Sequence, residues 1–321
     1  MAINSFISIL EFHNSIPPNL ELQRTRVSYA SDAPMHTGNI LYSGAYTEMG
    51  VDNSLCFDEF LKNFRVNVIS LEEDEMEFDM IGIDASIANA FRRILIVELP
   101  TMVIEKVLIA NNTSVVQDEV LSHRLGLFPF NVDPRLFEYM SKTDTPNEKN
   151  TIFFKLNAQC GRKGNCLTVK YNELKWLPNG SELEMGIELE AHAVKGLGKS
   201  HAKWSPVCTT WYRMPAEVML LQEVKDEKAE ELVKKFLVNV FDIEDIDKGR
   251  KREAVARLRL CTLCRECIRG DNKEKCVALR HVKDHFIFKI ESARALPPEV
   301  LFTKVIKILE EKCERVITEL T

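Results

Sequence analysis

The chain has 321 residues, with 48 acidic against 42 basic side chains for a formal net charge of −6, and it is 45% hydrophobic and 28% charged. That is enough chain, with an ordinary enough balance, for one large or two ordinary hydrophobic cores in a soluble globular protein. The negative charge excludes a nucleic-acid sleeve over the whole surface, and no stretch approaches the ~20 apolar residues of a membrane span.

Residues 1–50 mix turn formers with scattered aromatics, and Ile16-Pro17-Pro18-Asn19 and Gly38 interrupt the apolar runs. An N-terminal extension that orders mainly against a partner is expected. FISIL near the start is short and follows no basic residue, so it is not expected to act as a signal sequence. The nine cysteines are then read as thiols or ligands before disulfides.

Phe64 to Leu71 and Glu75 to Ile83 alternate around Glu72-Glu73-Asp74, which predicts a β-hairpin. Beyond it, Ile87, Phe91, Ile94, Leu95 and Glu98 recur at the steps of one helix face. Asp84 is placed to cap that helix, and Pro100 cannot continue it. About 16 residues remain, roughly 24 Å of helix.

Val103 to Ala110 alternates as a strand, and Asn111 to Ser114 supplies a turn and a cap. A second helix is predicted with Val116, Val120, Leu121 and Leu125 as its stripe, and with Gly126 as a left-handed terminal residue. Between residues 131 and 205, strands are predicted at Ile152–Leu156, Leu167–Tyr171 and Glu182–Ala193, with Trp176 and Trp204 as core anchors.

Charge then switches along the chain. Residues 222–247 hold nine acidic and four basic side chains, whereas 248–283 hold twelve basic and four acidic. The basic block could meet nucleic acid, the acidic face of another subunit, or its own acidic neighbour. Finally Val282–Glu291 alternates, and Pro297-Pro298 opens a helix of about 30 Å with the stripe Leu301, Val305, Ile308, Leu309, Cys313, Val316 and Leu320.

The runs IANAFRRIL, ELPTMVIEKV and QDEVLSHRLGLFP resemble the α-motif of the α-like subunits of multisubunit RNA polymerases. More narrowly, they resemble the larger α-like subunit shared by eukaryotic RNA polymerases I and III in its plant form, within the superfamily that takes in its archaeal counterpart and the bacterial α N-terminal domain. The similarity extends from about Gly50 to the C-terminus.

The resemblance implies an α+β fold: a discontinuous dimerisation domain, a small antiparallel sheet with two packed helices, interrupted by an inserted α+β domain with a ferredoxin-like subdomain. The boundaries it suggests are an extension over 1–50, dimerisation domain over 51–101 and 281–321, insert over 102–205, and a cysteine-containing ferredoxin-like subdomain over 206–280. It implies a non-catalytic assembly subunit that forms a heterodimer with the smaller α-like subunit. That pair serves as the platform for the second-largest subunit, in the nucleus, both nucleolus and nucleoplasm. Ile87, Phe91, Leu95, Leu301, Val305, Leu309 and Val316 are the expected partner-facing apolar residues, with Arg92 and Arg93 turned to the large subunit.

Cys261-x2-Cys264-x2-Cys267 has the spacing of an iron–sulfur loop, and zinc also accepts four sulfurs. Cys276, or Cys208 from elsewhere, could complete four ligands. In relatives with a cluster, the segment resembling LVNVFDIED begins with a Cys-Pro pair, where this chain has Phe236-Leu237. No bound cofactor is therefore expected, with Cys276 the one substitute fourth ligand to test. Cys264, Cys267, His281 and His285 also satisfy a zinc-finger spacing. The two histidines, however, flank strand residues spanning about 13 Å, too far for one tetrahedral metal.

No nucleophile elbow, phosphate loop or HExxH is present. His123 reads as an interface or core hydrogen-bonding group, and Asp242, Glu244 and Asp245 as surface groups. Two other function classes stand beside the assembly subunit: an iron–sulfur or zinc protein, distinguished by metal content, and a nucleic-acid binder through 248–283, distinguished by salt-dependent retention.

Overall fold

The computed structural model describes residues 17–40, 56–141, 143–158, 168–178, 189–222, 230, 233, 240–246, 250–255, 257–269 and 277–320. In chain order the elements are α1 (Pro18–Thr25), β1 (Arg26–Tyr29), β2 (Pro34–Met35), α2 (Phe57–Asn63), β3 (Arg65–Leu71), β4 (Glu75–Ile81), α3 (Ala85–Val97), β5 (Pro100–Ile109) and α4 (Asp118–Leu125). There follow β6 (Thr151–Leu156), β7 (Lys175–Leu177), β8 (Leu189–Leu197), β9 (Val207–Arg213), β10 (Ala216–Leu220), β11 (Phe241–Ile246), β12 (Arg250–Val255), β13 (Val277–Val282), β14 (His285–Ser292) and α5 (Pro298–Leu320). The fold is mixed α+β, and every pair of strands whose register is described is antiparallel. It divides into two compact units, residues 1–69, 77–89 and 212–288 in one and 70–76, 90–211 and 289–321 in the other.

In the first unit a four-stranded sheet has the order β10-β13-β1-β2. Val27 of β1 and Ala216 of β10 both lie opposite His281 of β13. One face of this sheet presents Ala216, Val218, Val277 and Leu279 to Val240, Phe241 and Cys261. Residues 26–35 of the expected N-terminal extension thus order against the chain itself. Lys283 ties the neighbouring residues down, donating to the carbonyls of Gln23 (3.1 Å) and Gly38 (2.7 Å).

A second set of contacts in this unit joins the end of β4 to the start of β14. Phe78 stacks on Phe288 at 5.2 Å, with Tyr212 packed on Phe286 and Phe288. The Gly82 amide donates to the Asp284 carbonyl at 2.7 Å. Gly82 has φ +78°, and a Cβ there would lie 2.7 Å from the Asn63 backbone, so both conformation and space demand glycine. Strands β3, β4, β14 and β9 follow one another in one sheet.

The acidic and basic runs meet in the β11–β12 ribbon, where the backbone register sets Glu244 opposite Arg252 and Asp245 opposite Lys251. Arg257 adds an ion pair to Asp242 at 3.1 Å.

In the second unit the sheet order is β5-β8-β6-β7, with β8 and β6 inside. Met102, Ile104, Ile152, Leu189, Ala191 and Ala193 form its core with Leu125 of α4. A bulge at Glu105 interrupts the β5–β8 register and turns that carboxylate outward to Lys203. Trp204 is buried as expected and lies against Gly196, where a Cβ would overlap its ring.

Several sequence expectations need correction here. Trp176 is 65% exposed and anchors no core. Residues 168–170 are not strand and 171–173 form a 3-10 turn, while Leu167 and residues 181–188 lie outside the described residues. Gly126 has φ −64°, not a left-handed conformation. Its lack of a side chain matters because a Cβ would sit 3.3 Å from the Ile104 carbonyl. Val120 is exposed, which leaves Leu121 and Leu125 as the buried side of α4.

Candidate subunit interface

The first expected helix is α3, and Asp84 caps it by accepting from the Ser86 amide at 2.8 Å. In the second unit it packs beside α5: the Phe91 and Phe302 rings lie 5.2 Å apart, and Lys312 donates to the Glu98 carboxylate. Phe91, Ile94, Leu95, Leu99, Leu301 and Val305 are buried. Burial of this kind contributes about 1.5–3 kcal/mol for each large side chain, which fixes the helix pair.

The nine expected interface residues therefore fall into groups. Phe91, Leu95, Leu301 and Val305 are consumed by the chain's own core. Ile87, Arg92 and Leu309 are half-buried. Arg93 and Val316 are exposed.

The terminal helix runs 23 residues, yet its buried residues are Pro298, Leu301 and Val305. Farther along, Val316, Ile317 and Leu320 are 55, 62 and 82% exposed. Together with exposed Cys313 they follow the i, i+3, i+4, i+7 rule of a packing stripe. The distal turns thus carry a core-type pattern in an open position. A second exposed apolar group lies on β3, where Val66, Val68 and Ile69 stand out on both faces of a strand at the edge of its sheet.

The cysteine segment is built differently. Arg259 bridges Glu77 (2.7 Å) and Asp79 (2.8 Å), and Arg213 donates to the carbonyls of Arg259 and Cys261. Leu263 and Arg265 take left-handed conformations at φ 57° and 65°. That conformation is costly for such residues and is held only by surrounding structure.

Cys261 is buried in the apolar cluster of the first sheet, Cys267 packs half-buried against that cluster, and Cys264 is exposed. Burial raises the Cys261 pKa. Cys276 lies outside the described residues. Among the described residues no group of three His, Cys, Asp or Glu side chains could hold a metal ion. The described cysteines do not fit a metal or cluster site. His281 points into the same core as Leu279, while His285 lies 3.3 Å from Asp79, so the zinc-finger spacing corresponds to two different environments.

Sequence reasoning missed the buried pair of Glu190 and His192 at 2.6 Å, with the imidazole edge-on to Phe153. Its signal was Glu-x-His within an apolar alternating strand, which puts both side chains on one face. His123 and Glu119 are exposed on α4.

The sequence profile of the RNA polymerase Rpb3/Rpb11 dimerisation domain matches residues 77–313. The chain is 42% identical to the Bos taurus protein named DNA-directed RNA polymerases I and III subunit RPAC1, over 94% of this chain and 96% of the relative. It is 41% identical to the Homo sapiens protein of that name over the same shares. The Saccharomyces cerevisiae protein of that name is 38% identical over 82% of this chain and 89% of its own length.

Proposed function

Since the chain belongs to the RNA polymerase Rpb3/Rpb11 dimerisation-domain family, alongside the subunit shared by DNA-directed RNA polymerases I and III, we infer that it is a non-catalytic assembly subunit of those two enzymes. The observation that carries this reading is the distal stripe of α5, Cys313, Val316, Ile317 and Leu320, patterned for a core and exposed on the chain alone. Its occupant is the matching surface of the smaller α-like subunit. An obligate interface of that kind covers about 2,000 Å² or more and is as apolar as a domain core.

The dimerisation domain is discontinuous in this proposal, with 51–101 and 281–321 interrupted by the insert at 102–205 and the ferredoxin-like subdomain at 206–280. Supporting it, Gly82 bonds to Asp284 in one unit, and in the other Ser292 bonds to the Asp74 carbonyl while Lys289 pairs with Glu75. These contacts join segments some 200 residues apart. Arg93, exposed, and its half-buried neighbour Arg92 meet the second-largest subunit, for which the heterodimer is the platform. In this proposal the protein works in the nucleus, with the nucleolus as the site of its polymerase I share.

Co-expression with the smaller α-like subunit, followed by size measurement, tests the reading. A one-to-one complex supports it. A chain that stays monodisperse and monomeric beside that subunit overturns it.

A further inference from the structure

A cluster of cations in the second unit is not absorbed by the dimer interface. Lys304 lies half-buried on the same side of α5 as Leu301 and Val305. It makes no hydrogen bond or ion pair among the described residues. Its ammonium instead feels Arg135, Lys195 and Asp133, and burial, then the positive field of Arg135, lowers its pKa. Lys195 reaches the same place from β8, donating to the Phe137 carbonyl at 2.8 Å and lying 4.8 Å over the Tyr139 ring. Its pKa is lowered too, by burial.

Among the described residues, the one carboxylate in the cluster is already engaged. Arg135 grips both oxygens of Asp133, with Nε at 2.9 and 2.7 Å. Asp133 also caps the 3-10 turn Pro134–Leu136 through the Arg135 amide, so it is not free to move to the lysines. Two partly desolvated ammonium groups are thus left short of negative charge, an arrangement that costs free energy until an anion arrives. Next to them Leu136 is 76% and Tyr139 54% exposed.

We propose that Lys304, Lys195 and Arg135, with Leu136 and Tyr139 beside them, form a docking site for an acidic segment of another polymerase subunit that presents a carboxylate next to an apolar side chain. A nucleic-acid backbone fits the same chemistry less well. Three cations, one of them neutralised, release few counterions, and exposed leucine offers nothing to a phosphate. The chain's net charge of −6 repels a polyanion further. The site rests on the reading that the chain works inside a polymerase, but it names a surface distinct from the distal end of α5.

Treatment of purified polymerase containing this chain with a water-soluble carbodiimide tests the proposal, because that reagent joins a lysine amine only to a carboxylate it touches. Mass spectrometry is expected to find Lys304 or Lys195 amide-linked to an Asp or Glu of another subunit. The double variant Lys195→Gln, Lys304→Gln is expected to weaken retention of that subunit about tenfold in salt washes. Links only to this chain's own carboxylates, or no link at either lysine, would overturn it. A chain that never enters the polymerase would instead overturn the assembly reading, so the two failures are separable.

Discussion

The Phe91 ring on α3 lies 5.2 Å from the Phe302 ring on α5 at an interplanar angle of 54°, and one turn of contact thereby joins helices more than 200 residues apart. Because Phe91 is buried by this chain itself, it works for the protomer before it works for any partner. Phe91→Ala should lower unfolding free energy by about 3–5 kcal/mol, the usual cost of emptying an aromatic core position. Denaturant titration of the purified chain checks this, and a change below about 1 kcal/mol would place the ring outside the core.

Val316→Asp is the complementary case. The site is exposed, so stability of the chain alone should stay within about 0.5 kcal/mol, as for most surface changes. Recovery of the complex with the smaller α-like subunit should nevertheless fall steeply, because the charge would be buried there without a mate. Parallel melting and co-purification separate the two effects.

Arg259 joins Glu77 and Asp79 to the cysteine segment. Arg259→Met would take the guanidinium from Asp79, which is buried and, among the described residues, keeps His285 at 3.3 Å as its other cationic neighbour. Breaking a buried pair costs about 3–5 kcal/mol, and partial exposure of the guanidinium brings the expected loss to roughly 2 kcal/mol. Arg259→Lys, which keeps the charge but not the fork, should lose less. Equal losses for the two variants in denaturant titration would remove the geometric account.

His281 is buried beside the Tyr29 ring, with neither ring nitrogen hydrogen-bonded among the described residues. Burial, and then the Arg213 charge, pushes its pKa down to about 4. The folded state therefore binds fewer protons than an unfolded chain with a histidine near 6.5, so stability is full above about pH 6.5 and declines as pH falls toward 4. The expected loss by pH 5 is on the order of 1–2 kcal/mol. His281→Phe should flatten that part of the pH profile, and an unchanged slope would assign it to other groups.

Much of this architecture could be read in the chain. The period of α3, its Asp84 cap, the hairpin around residues 72–74 and the terminal helix all announce themselves by spacing, because each is a local pattern. Periodicity could not say where α5 leaves the body of the protein. Its stripe continues unchanged from Leu301 to Leu320, while burial stops after Val305. Nor could it find β1, four residues whose partners at 280–282 lie some 250 positions away. The cysteine spacing suggested ligands, but the side chain of Cys261 is used as a small apolar group in a sheet core, a choice that spacing does not encode.

The most direct test of the central claim is the mass in solution of the chain co-expressed with the smaller α-like subunit, compared with the same pair after Val316, Ile317 and Leu320 are all changed to Ser. The account predicts a one-to-one complex for the natural sequence and separated chains for the triple variant, with the variant still folded. An intact complex after that change would contradict it.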